Sequence, residues 1–221
     1  MGKRKAEKAL RAGIVAEARA LAASGLNRGA TGNLSARLGA DMLITPSAVA
    51  WDALEPEMLA RMPLADDAGA WEGPLKPSSE WRFHRDLLRA RDDFAAVVHT
   101  HAPWCTVLAV ARRPIPAVHY MIAAFGGPDI RVADYARFGT AELSAHVVAA
   151  MEGRNGCLMA NHGMLVGGPD LTRACWLAHE LESLAHQYVH ALMLGGPHLL
   201  SEAEIAEAAE SFAGYGVQAR R

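Results

Sequence analysis

The sequence carries little net charge, few aromatic residues and no long apolar run. Among its 221 residues, 22 Lys and Arg face 24 Asp and Glu, which gives a formal net charge of -2. A nearly neutral chain offers no general attraction to nucleic acid or to an anionic membrane surface. No uninterrupted apolar run approaches the length of a membrane span. We therefore expect neither a nucleic-acid partner nor a membrane partner.

Cysteine is also scarce. Cys105, Cys157 and Cys175 are odd in number, widely spaced and surrounded by apolar residues. This pattern is typical of reduced core thiols and predicts a cytoplasmic protein without a disulfide framework. The apolar share of 51% and the charged share of 21% are those of an ordinary globular chain. The length fits one domain over residues 1–221.

The apolar spacing predicts an alternation of helices and short strands without repeats or linkers. The predicted helices cover about 6–24, 103–111, 140–151 and 171–194, and two more begin near 77–80 and at 201. The predicted strands cover 34–38, 42–45, 95–100, 130–132, 156–159 and 164–166. The section between Pro46 and Pro77 is predicted to be weakly structured.

Three histidines lie where predicted strands end. Because side chains alternate along an extended segment, His99 and His101 point the same way and can offer two imidazoles to one ion. Two partly buried polar residues at a strand end would give the same spacing. His162 comes directly after the predicted strand 156–159 and precedes Gly163, which permits close backbone approach. It is a candidate third ligand, and three protein ligands leave a position open for substrate oxygens.

A rival histidine group lies in the last long helix. His186 and His190 share a helix face at i, i+4 spacing, and His179 begins a segment similar to a metalloprotease helix. Ser183 stands where that motif requires its second histidine, so the mechanism fails. We assign this group to a helix face or an interface.

Glu80 follows Ser78 and Ser79 at a predicted helix start. A carboxylate there can simply complement the positive end of the helix dipole. The two hydroxyls and the free backbone N–H groups could instead bind a phosphate, and the loop 29–33 offers similar donors. Both interpretations of this segment stay open on spacing alone.

Several longer motifs together resemble one family, the class II aldolase/adducin family, nearly from end to end. The motifs are Thr31-Gly32-Asn33-Leu34-Ser35, Met42-Leu43-Ile44-Thr45-Pro46-Ser47, Pro77-Ser78-Ser79-Glu80-Trp81-Arg82-Phe83-His84, Val97-Val98-His99-Thr100-His101-Ala102, His119-Tyr120-Met121-Ile122-Ala123-Ala124, Phe138-Gly139-Thr140, Asn161-His162-Gly163 and Trp176-Leu177-Ala178-His179-Glu180.

This resemblance implies an α/β fold of three α/β/α layers around a mixed, largely antiparallel sheet. It also implies a homotetramer with active sites between subunits and a zinc ion in each subunit. His99, His101 and His162 would be the ligands. Glu80 would be the acid/base and could touch the resting metal, and Tyr120 would act from the adjacent subunit.

The resemblance further assigns a phosphate site and a pocket for the rest of the substrate. Phe138 would form a pocket wall, and Tyr215 would belong to a mobile tail, from about residue 212, that closes over substrate. The phosphate-binding residues would be Gly32, Asn33, Ser47, Ala48, Ser78 and Ser79. The family usually has glycine where this chain has Ala48, and a positive φ there would cost about 1 kcal/mol. The turn must therefore relax or grip the phosphate differently.

The activity that the resemblance implies is reversible aldol cleavage of a ketose 1-phosphate, such as L-fuculose 1-phosphate, to dihydroxyacetone phosphate and L-lactaldehyde. A 5-deoxypentulose or 5-methylthiopentulose 1-phosphate would give the same phosphorylated product. Pentulose-phosphate 4-epimerases are similar but typically carry aspartate at the position of Glu80. A binding module without catalysis, as in adducin, would not need the three histidines and Glu80.

Overall fold

The computed structural model describes residues 2–212. The helices are α1 (Gly2–Ala23), α2 (Trp81–Ala90), α3 (Pro103–Val110), α4 (Ala141–Ala150), α5 (Leu171–Met193) and α6 (Glu202–Phe212). The strands are β1 (Asn33–Leu38), β2 (Asp41–Ile44), β3 (Ala60–Pro63), β4 (Ala96–Thr100), β5 (Arg131–Ala133), β6 (Gly156–Met159) and β7 (Gly163–Gly168). Short 3-10 helices cover Trp51–Ala53, Pro56–Met58 and Tyr120–Phe125.

The strands form one mixed sheet in the order β3-β2-β1-β4-β7-β6-β5. All neighbours are antiparallel except β5 and β6, which run parallel. In the centre, β4 pairs with β1 on one side and with β7 on the other. In this register, His99 of β4 lies between Asn33 of β1 and Leu165 of β7.

Two apolar clusters cover the two faces of this sheet. One joins Ala96 and Val98 of β4 to buried residues of α1, α3, α5 and α6. The other joins Val97 of the same strand to buried residues of α2 and α4. Successive residues of β4 thus enter opposite clusters, as the alternation of side chains along a strand requires. The predicted three-layer α/β/α architecture with a mixed, largely antiparallel sheet is confirmed.

The helices and strands predicted from apolar spacing are all present, with ends that differ by a few residues. The sequence Ser201-Glu202-Ala203-Glu204 has the spacing of a capping box, which predicts a helix start at this point. The structure confirms it, because Ser201 Oγ accepts from the Glu204 N–H at 3.3 Å and Glu204 Oε2 accepts from the Ser201 N–H at 2.7 Å. The prediction of a weakly structured section between Pro46 and Pro77 is wrong in part. It contains β3, an edge strand of four residues that ends at Pro63.

The three cysteines are free and buried, as predicted. Among the helices of residues 2–212, none is long and apolar enough to cross a membrane. The predicted C-terminal tail, including Tyr215, lies outside the described residues.

Candidate metal centre and active-site cavity

His99 is buried near the end of β4 and is held by the neighbouring strand. Its Nδ1 lies 2.8 Å from the carbonyl oxygen of Met164 on β7. Because a carbonyl can only accept, Nδ1 carries the proton and Nε2 presents a lone pair. The β4–β7 pairing therefore orients one histidine as a metal ligand.

His101 and His162 join His99 from the loops that follow β4 and β6. The ring centroids of His101 and His162 are 5.0 Å apart, and that of His99 lies 5.0 and 4.7 Å from them. Their ligand atoms all lie within 4.8 Å of one another, which suits three ligands of one metal ion. Among residues 2–212, this is the only group of three or more His, Cys, Asp and Glu side chains with such spacing.

Gly163 makes this close approach of two loops possible. A Cβ at this position would lie 2.6 Å from the Thr100 carbonyl oxygen and 3.0 Å from Cδ2 of His101. Any side chain would therefore push β7 away from the end of β4. The prediction that the glycine after His162 serves close backbone approach is confirmed.

Burial keeps the three imidazoles neutral. It lowers the pKa of His99 well below its usual value, and His162 and His101 lower it further. Burial, with a smaller contribution from His162, lowers the pKa of His101 to about 4. Burial also lowers the pKa of His162, although the Glu80 carboxylate opposes that shift. Neutral imidazoles at neutral pH keep the lone pairs that a metal requires.

Glu80 points its carboxylate at these histidines. Oε1 lies 3.2 Å from Nε2 of His162, and Oε2 lies 3.4 Å from Nε2 of His99. Glu80 is the N-cap residue of α2, yet its side chain caps no backbone N–H of the helix. One interpretation of this segment was that Glu80 only complements the helix dipole. That interpretation does not explain where the Glu80 carboxylate lies.

The donor set fits a cation. Nε2 of His99 and Oε1 of Glu80 are both buried without a hydrogen-bond partner. Nε2 of His99 presents a lone pair toward a carboxylate oxygen that also only accepts. Two acceptors at this separation repel each other unless a positive charge lies beside them, so the arrangement suits a bound metal ion.

The candidate phosphate-binding residues share one cavity of about 340 Å³ with Glu80, His101 and His162. Gly32, Asn33, Ser47, Ala48, Ser78 and Ser79 all line it. Phe138 also lines it and is 60% exposed. The structure thus brings the predicted phosphate site and the predicted pocket wall to the predicted metal ligands.

Internal hydrogen bonds shape the phosphate side of the cavity. Ser47 Oγ donates to the Pro77 carbonyl at 3.1 Å and accepts from the Ser79 N–H at 3.0 Å. Ser78 Oγ accepts from the Glu80 N–H at 3.2 Å. Ala48 keeps a φ of 59°, so the turn does not relax to suit alanine. This turn therefore has a left-handed backbone at an alanine, which costs strain.

Tyr120 lies elsewhere. It begins a 3-10 helix, is 53% exposed and lines a second cavity of about 680 Å³ with Trp176, Glu180 and residues of α6. Its ring stacks on that of Phe212, with the centroids 6.2 Å apart. Within one chain, the structure does not bring Tyr120 into the cavity of Glu80 and the three histidines.

Comparison with known proteins identifies the family of this chain. Residues 12–189 match the model of the family described as the class II aldolase and adducin N-terminal domain. The chain belongs to this family. It is a class II aldolase, a lyase that breaks carbon–carbon bonds, and such aldolases depend on a metal ion.

Individual relatives of this class II aldolase carry two kinds of name. It is 56% identical over 180 residues to a 5-methylthioribulose-1-phosphate/5-deoxyribulose-1-phosphate aldolase of Rhodospirillum rubrum, which covers 81% of this chain and 80% of the relative. It is 46% identical over 165 residues to the L-fuculose phosphate aldolase of Escherichia coli K12, covering 75% of each chain. A solved L-fuculose 1-phosphate aldolase superposes with a TM-score of 0.87 at 38% identity, covering 92% of this chain and 95% of that one.

The histidines of α5 have a different environment in this aldolase. His186 stacks on Trp104 with ring centroids 4.5 Å apart, and His190 meets the same ring edge-on at 5.0 Å. His179 is exposed. These contacts agree with the assignment of His186 and His190 to a helix face.

Two residues of the site were not found from the sequence. Ser35 and His84 are fully buried, and both hydrogen-bond into the network that reaches Glu80. The sequence did contain one signal of this network, because the polar residues Asn33 and Ser35 alternate with apolar residues along a strand. His84 stands four residues after Glu80, on the same side of α2.

Proposed function

We propose that this aldolase is a cytoplasmic, zinc-dependent enzyme that reversibly cleaves a ketose 1-phosphate to dihydroxyacetone phosphate and a short aldehyde. One observation carries the proposal: the Glu80 carboxylate lies beside Nε2 of His99, and that nitrogen bears a lone pair. Glu80 also lines the cavity that contains the candidate phosphate-binding residues. The metal would be one zinc ion per subunit, held by His99, His101 and His162. Glu80 could be a further ligand when substrate is absent.

Cleavage of the C3–C4 bond leaves electron density on C3, which must be delocalised onto the C2 carbonyl oxygen. A zinc ion held by His99, His101 and His162 would supply the Lewis acid for this carbonyl. Neutral imidazoles are the form that such a site needs, and burial keeps them neutral.

Glu80 moves the proton at C3. The C4 hydroxyl would give its proton to the group that acts at the C4 oxygen, a role that we assign to Tyr120 of a neighbouring subunit. The C3–C4 bond would break, the aldehyde would depart, and an enediolate of dihydroxyacetone phosphate would remain, so that one proton moves from the C4 oxygen to C3 overall. Glu80 then protonates C3, and in the reverse direction the same carboxylate removes that proton. Its position beside both His99 and His162 supports this role, because the reacting carbons must lie close to the metal.

The substrate phosphate would bind at the start of α2 and in the two turns beside it. The donors would be Gly32, Asn33, Ser47, Ala48, Ser78 and Ser79, which line one cavity. Ser47 Oγ would turn from the Pro77 carbonyl to the phosphate. Backbone N–H groups at a helix N-terminus favour an anion without any lysine.

Tyr120 would act on the C4 oxygen from a neighbouring subunit of a homotetramer. Its exposure of 53% and its place outside the cavity of its own chain support this arrangement. Phe138, exposed at the cavity rim, would contact the aldehyde half of the substrate. Tyr215 would close over substrate from the C-terminal tail.

We propose 5-methylthioribulose 1-phosphate or 5-deoxyribulose 1-phosphate as the preferred substrate. The relative named for these compounds is 56% identical, against 46% for the relative named for L-fuculose phosphate. The apolar rim formed by Tyr135, Ala136 and Phe138 would suit the methyl or methylthio end of such a molecule. L-fuculose 1-phosphate, which would give L-lactaldehyde, is the second candidate.

Retro-aldol kinetics test this proposal. Zinc-loaded protein is given 5-methylthioribulose 1-phosphate, 5-deoxyribulose 1-phosphate, L-fuculose 1-phosphate and a pentulose 5-phosphate, and dihydroxyacetone phosphate is measured with a coupled NADH-dependent reduction. We expect the highest kcat/KM with a 5-deoxypentulose substrate. A preference for L-fuculose 1-phosphate would reverse the order of the two candidates. Release of dihydroxyacetone phosphate from none of the ketose 1-phosphates would refute the proposed function.

A further inference from the structure

A network of buried polar side chains hydrogen-bonds to Glu80. Ser35 Oγ lies 2.7 Å from Nδ1 of His84, and Nε2 of His84 lies 2.5 Å from Oδ1 of Asn33. Asn33 Nδ2 then donates to Oε2 of Glu80 at 2.9 Å. Ser35 and His84 are 0% exposed and Asn33 is 3% exposed. Nothing in the proposed chemistry uses Ser35 or His84 directly.

The Glu80 carboxylate fixes the direction of every hydrogen bond in this network. An ionised Glu80 only accepts, so Asn33 must present its NH₂ group to it and its Oδ1 to His84. Oδ1 only accepts, so His84 must carry its proton on Nε2. Nδ1 then has a lone pair, and the hydroxyl of Ser35 must donate to it. Each buried group has a single arrangement in which it is satisfied.

Local geometry explains why these four residues meet. Asn33 and Ser35 are two residues apart on β1 and therefore point to the same face of the sheet. Glu80 and His84 are four residues apart at the start of α2 and therefore lie on one side of that helix. Because α2 packs against this face of the sheet, the two pairs interlock.

His84 acts in this network as a neutral hydrogen-bond donor. Burial lowers its pKa to about 3, so it carries no charge near neutral pH. It stacks on Phe83 with ring centroids 4.9 Å apart, which limits rotation of the imidazole. The ring can therefore hold the Asn33 amide in one of its two orientations without adding a charge beside the metal site.

We propose that His84 is a positioning residue for Glu80, acting through Asn33 and supported by Ser35. His84 keeps the Asn33 amide turned so that one N–H holds the Glu80 carboxylate in the orientation for proton transfer at C3. The second N–H of the same amide stays available for the substrate phosphate. This inference rests on the proposed function, because it assigns to Glu80 the proton transfer of an aldol reaction.

A histidine that merely satisfies its own polar atoms in the core would give the same contacts but a different response to substitution. Loss of such a residue lowers stability and leaves the turnover of the folded protein unchanged. Loss of a positioning residue lowers kcat at temperatures where the protein is fully folded. An amide that restores the donor to Asn33 Oδ1 should then restore turnover.

The experiment compares His84→Leu with His84→Gln in zinc-loaded protein. We expect His84→Leu to lower kcat by about 10-fold to 100-fold, the usual effect of losing a residue that orients a functional group. KM should change less than kcat, and zinc content should stay at the wild-type value. Because a glutamine amide can donate to Asn33 Oδ1, His84→Gln should recover most of the lost turnover.

Leu88→Ala is the matched control, since Leu88 is a fully buried residue of the same helix, in the apolar cluster under the sheet. It should lower the melting temperature and leave kcat unchanged below the transition. Wild-type kcat in folded His84→Leu would overturn the proposal. Equal losses in His84→Leu and His84→Gln, or an equal loss in Leu88→Ala, would overturn it as well.

A second measurement does not depend on activity. Protein with ¹⁵N-labelled histidine is examined by NMR, and the His84 signals are those missing from His84→Gln. We expect a protonated Nε2 and an unprotonated Nδ1 from pH 6 to 8. A His84 protonated on Nδ1 would overturn the proposal even if its substitution lowers kcat. If wild-type protein cleaves no ketose 1-phosphate, the proposed function fails. The NMR signals of His84 still report whether the hydrogen bonds of the buried network have the stated direction.

Discussion

Oε1 of Glu80 lies 3.2 Å from Nε2 of His162, inside the cavity that both residues line. A carboxylate at the start of α2 would ordinarily bond the free N–H groups of that helix. Here the side chain of Glu80 bonds none of them, and it is held instead by the amide of Asn33. A carboxylate held beside the ligands of a metal can exchange a proton with a carbon bound near that metal.

Glu80→Gln should separate binding from turnover. The substitution keeps the size of the side chain but removes the proton acceptor, so we expect kcat to fall by about 10²-fold to 10⁴-fold. Zinc should remain, because the substitution leaves the three proposed histidine ligands in place. The measurement is exchange of the C3 proton of dihydroxyacetone phosphate with deuterated water, which requires no aldehyde.

Glu152→Gln is the control for that substitution, since Glu152 is exposed and follows α4. It should exchange at the wild-type rate. Wild-type exchange by zinc-loaded Glu80→Gln would show that another residue is the base.

His101→Ala should lose zinc and activity together, because it removes one of the three proposed imidazole ligands. His186→Ala should keep its zinc, since His186 stacks on Trp104 outside the metal group. Zinc per subunit is measured by mass spectrometry after dialysis. Loss of zinc from His186→Ala with retention in His101→Ala would move the metal site to α5.

Ala48→Gly should stabilise the protein. Ala48 has a φ of 59°, a region that costs a residue with a Cβ about 1–2 kcal/mol and costs glycine almost nothing. The greater freedom of glycine in the unfolded chain offsets part of this gain. We expect the free energy of unfolding to rise by about 0.5–1 kcal/mol, measured by urea unfolding.

Ala50→Gly is the matched control two residues later, where φ is -64°. At that angle alanine is unstrained, so glycine should destabilise the protein by about 0.5–1 kcal/mol. If both substitutions change the stability in the same direction, the φ of Ala48 is not the cause.

Acid should destabilise the protein through His84. Above about pH 6.5 this imidazole is neutral in both the folded and the unfolded chain. Because burial lowers its folded pKa to about 3, only the unfolded chain takes up a proton as the pH falls from 6.5 towards 3. Stability present above pH 6.5 is therefore lost in this window, at about 1.4 kcal/mol per pH unit.

The comparison of wild type with His84→Gln isolates this effect. Between pH 7 and pH 5, metal-free wild type should lose about 2 kcal/mol more stability than the variant, which has no titrating group at that position. Urea unfolding at equal protein concentrations measures both losses. An equal loss in the two proteins would show that His84 accepts a proton while folded.

Much of the metal group follows from short-range patterns. His99 and His101 stand two residues apart where β4 ends, and His162 follows β6 beside a glycine that permits close contact. These features depend only on neighbours in the sequence, and the spatial grouping of the three side chains agrees with them. The capping box of Ser201 and Glu204 was equally visible, because both of its partners lie within one helical turn.

The remaining features depend on contacts between distant parts of the chain. The strand β3 is short and lies at the sheet edge, so its pattern is too brief to distinguish from a loop. The direction of the Glu80 side chain is set by Asn33, which the sheet register places opposite His99. No local pattern contains that register. The role of His84 could not be predicted for the same reason, because its partners Asn33 and Ser35 lie on β1.

The position of β4 determines when the site can exist during synthesis of the chain. Its two partner strands are β1, made long before it, and β7, made long after it. While the ribosome has not yet released β7, the strand that carries His99 has an open edge, which is prone to pair with other chains. His162, which immediately precedes β7, also emerges late. The nascent chain must therefore wait for its last third before it can hold a metal ion or protect its central strand.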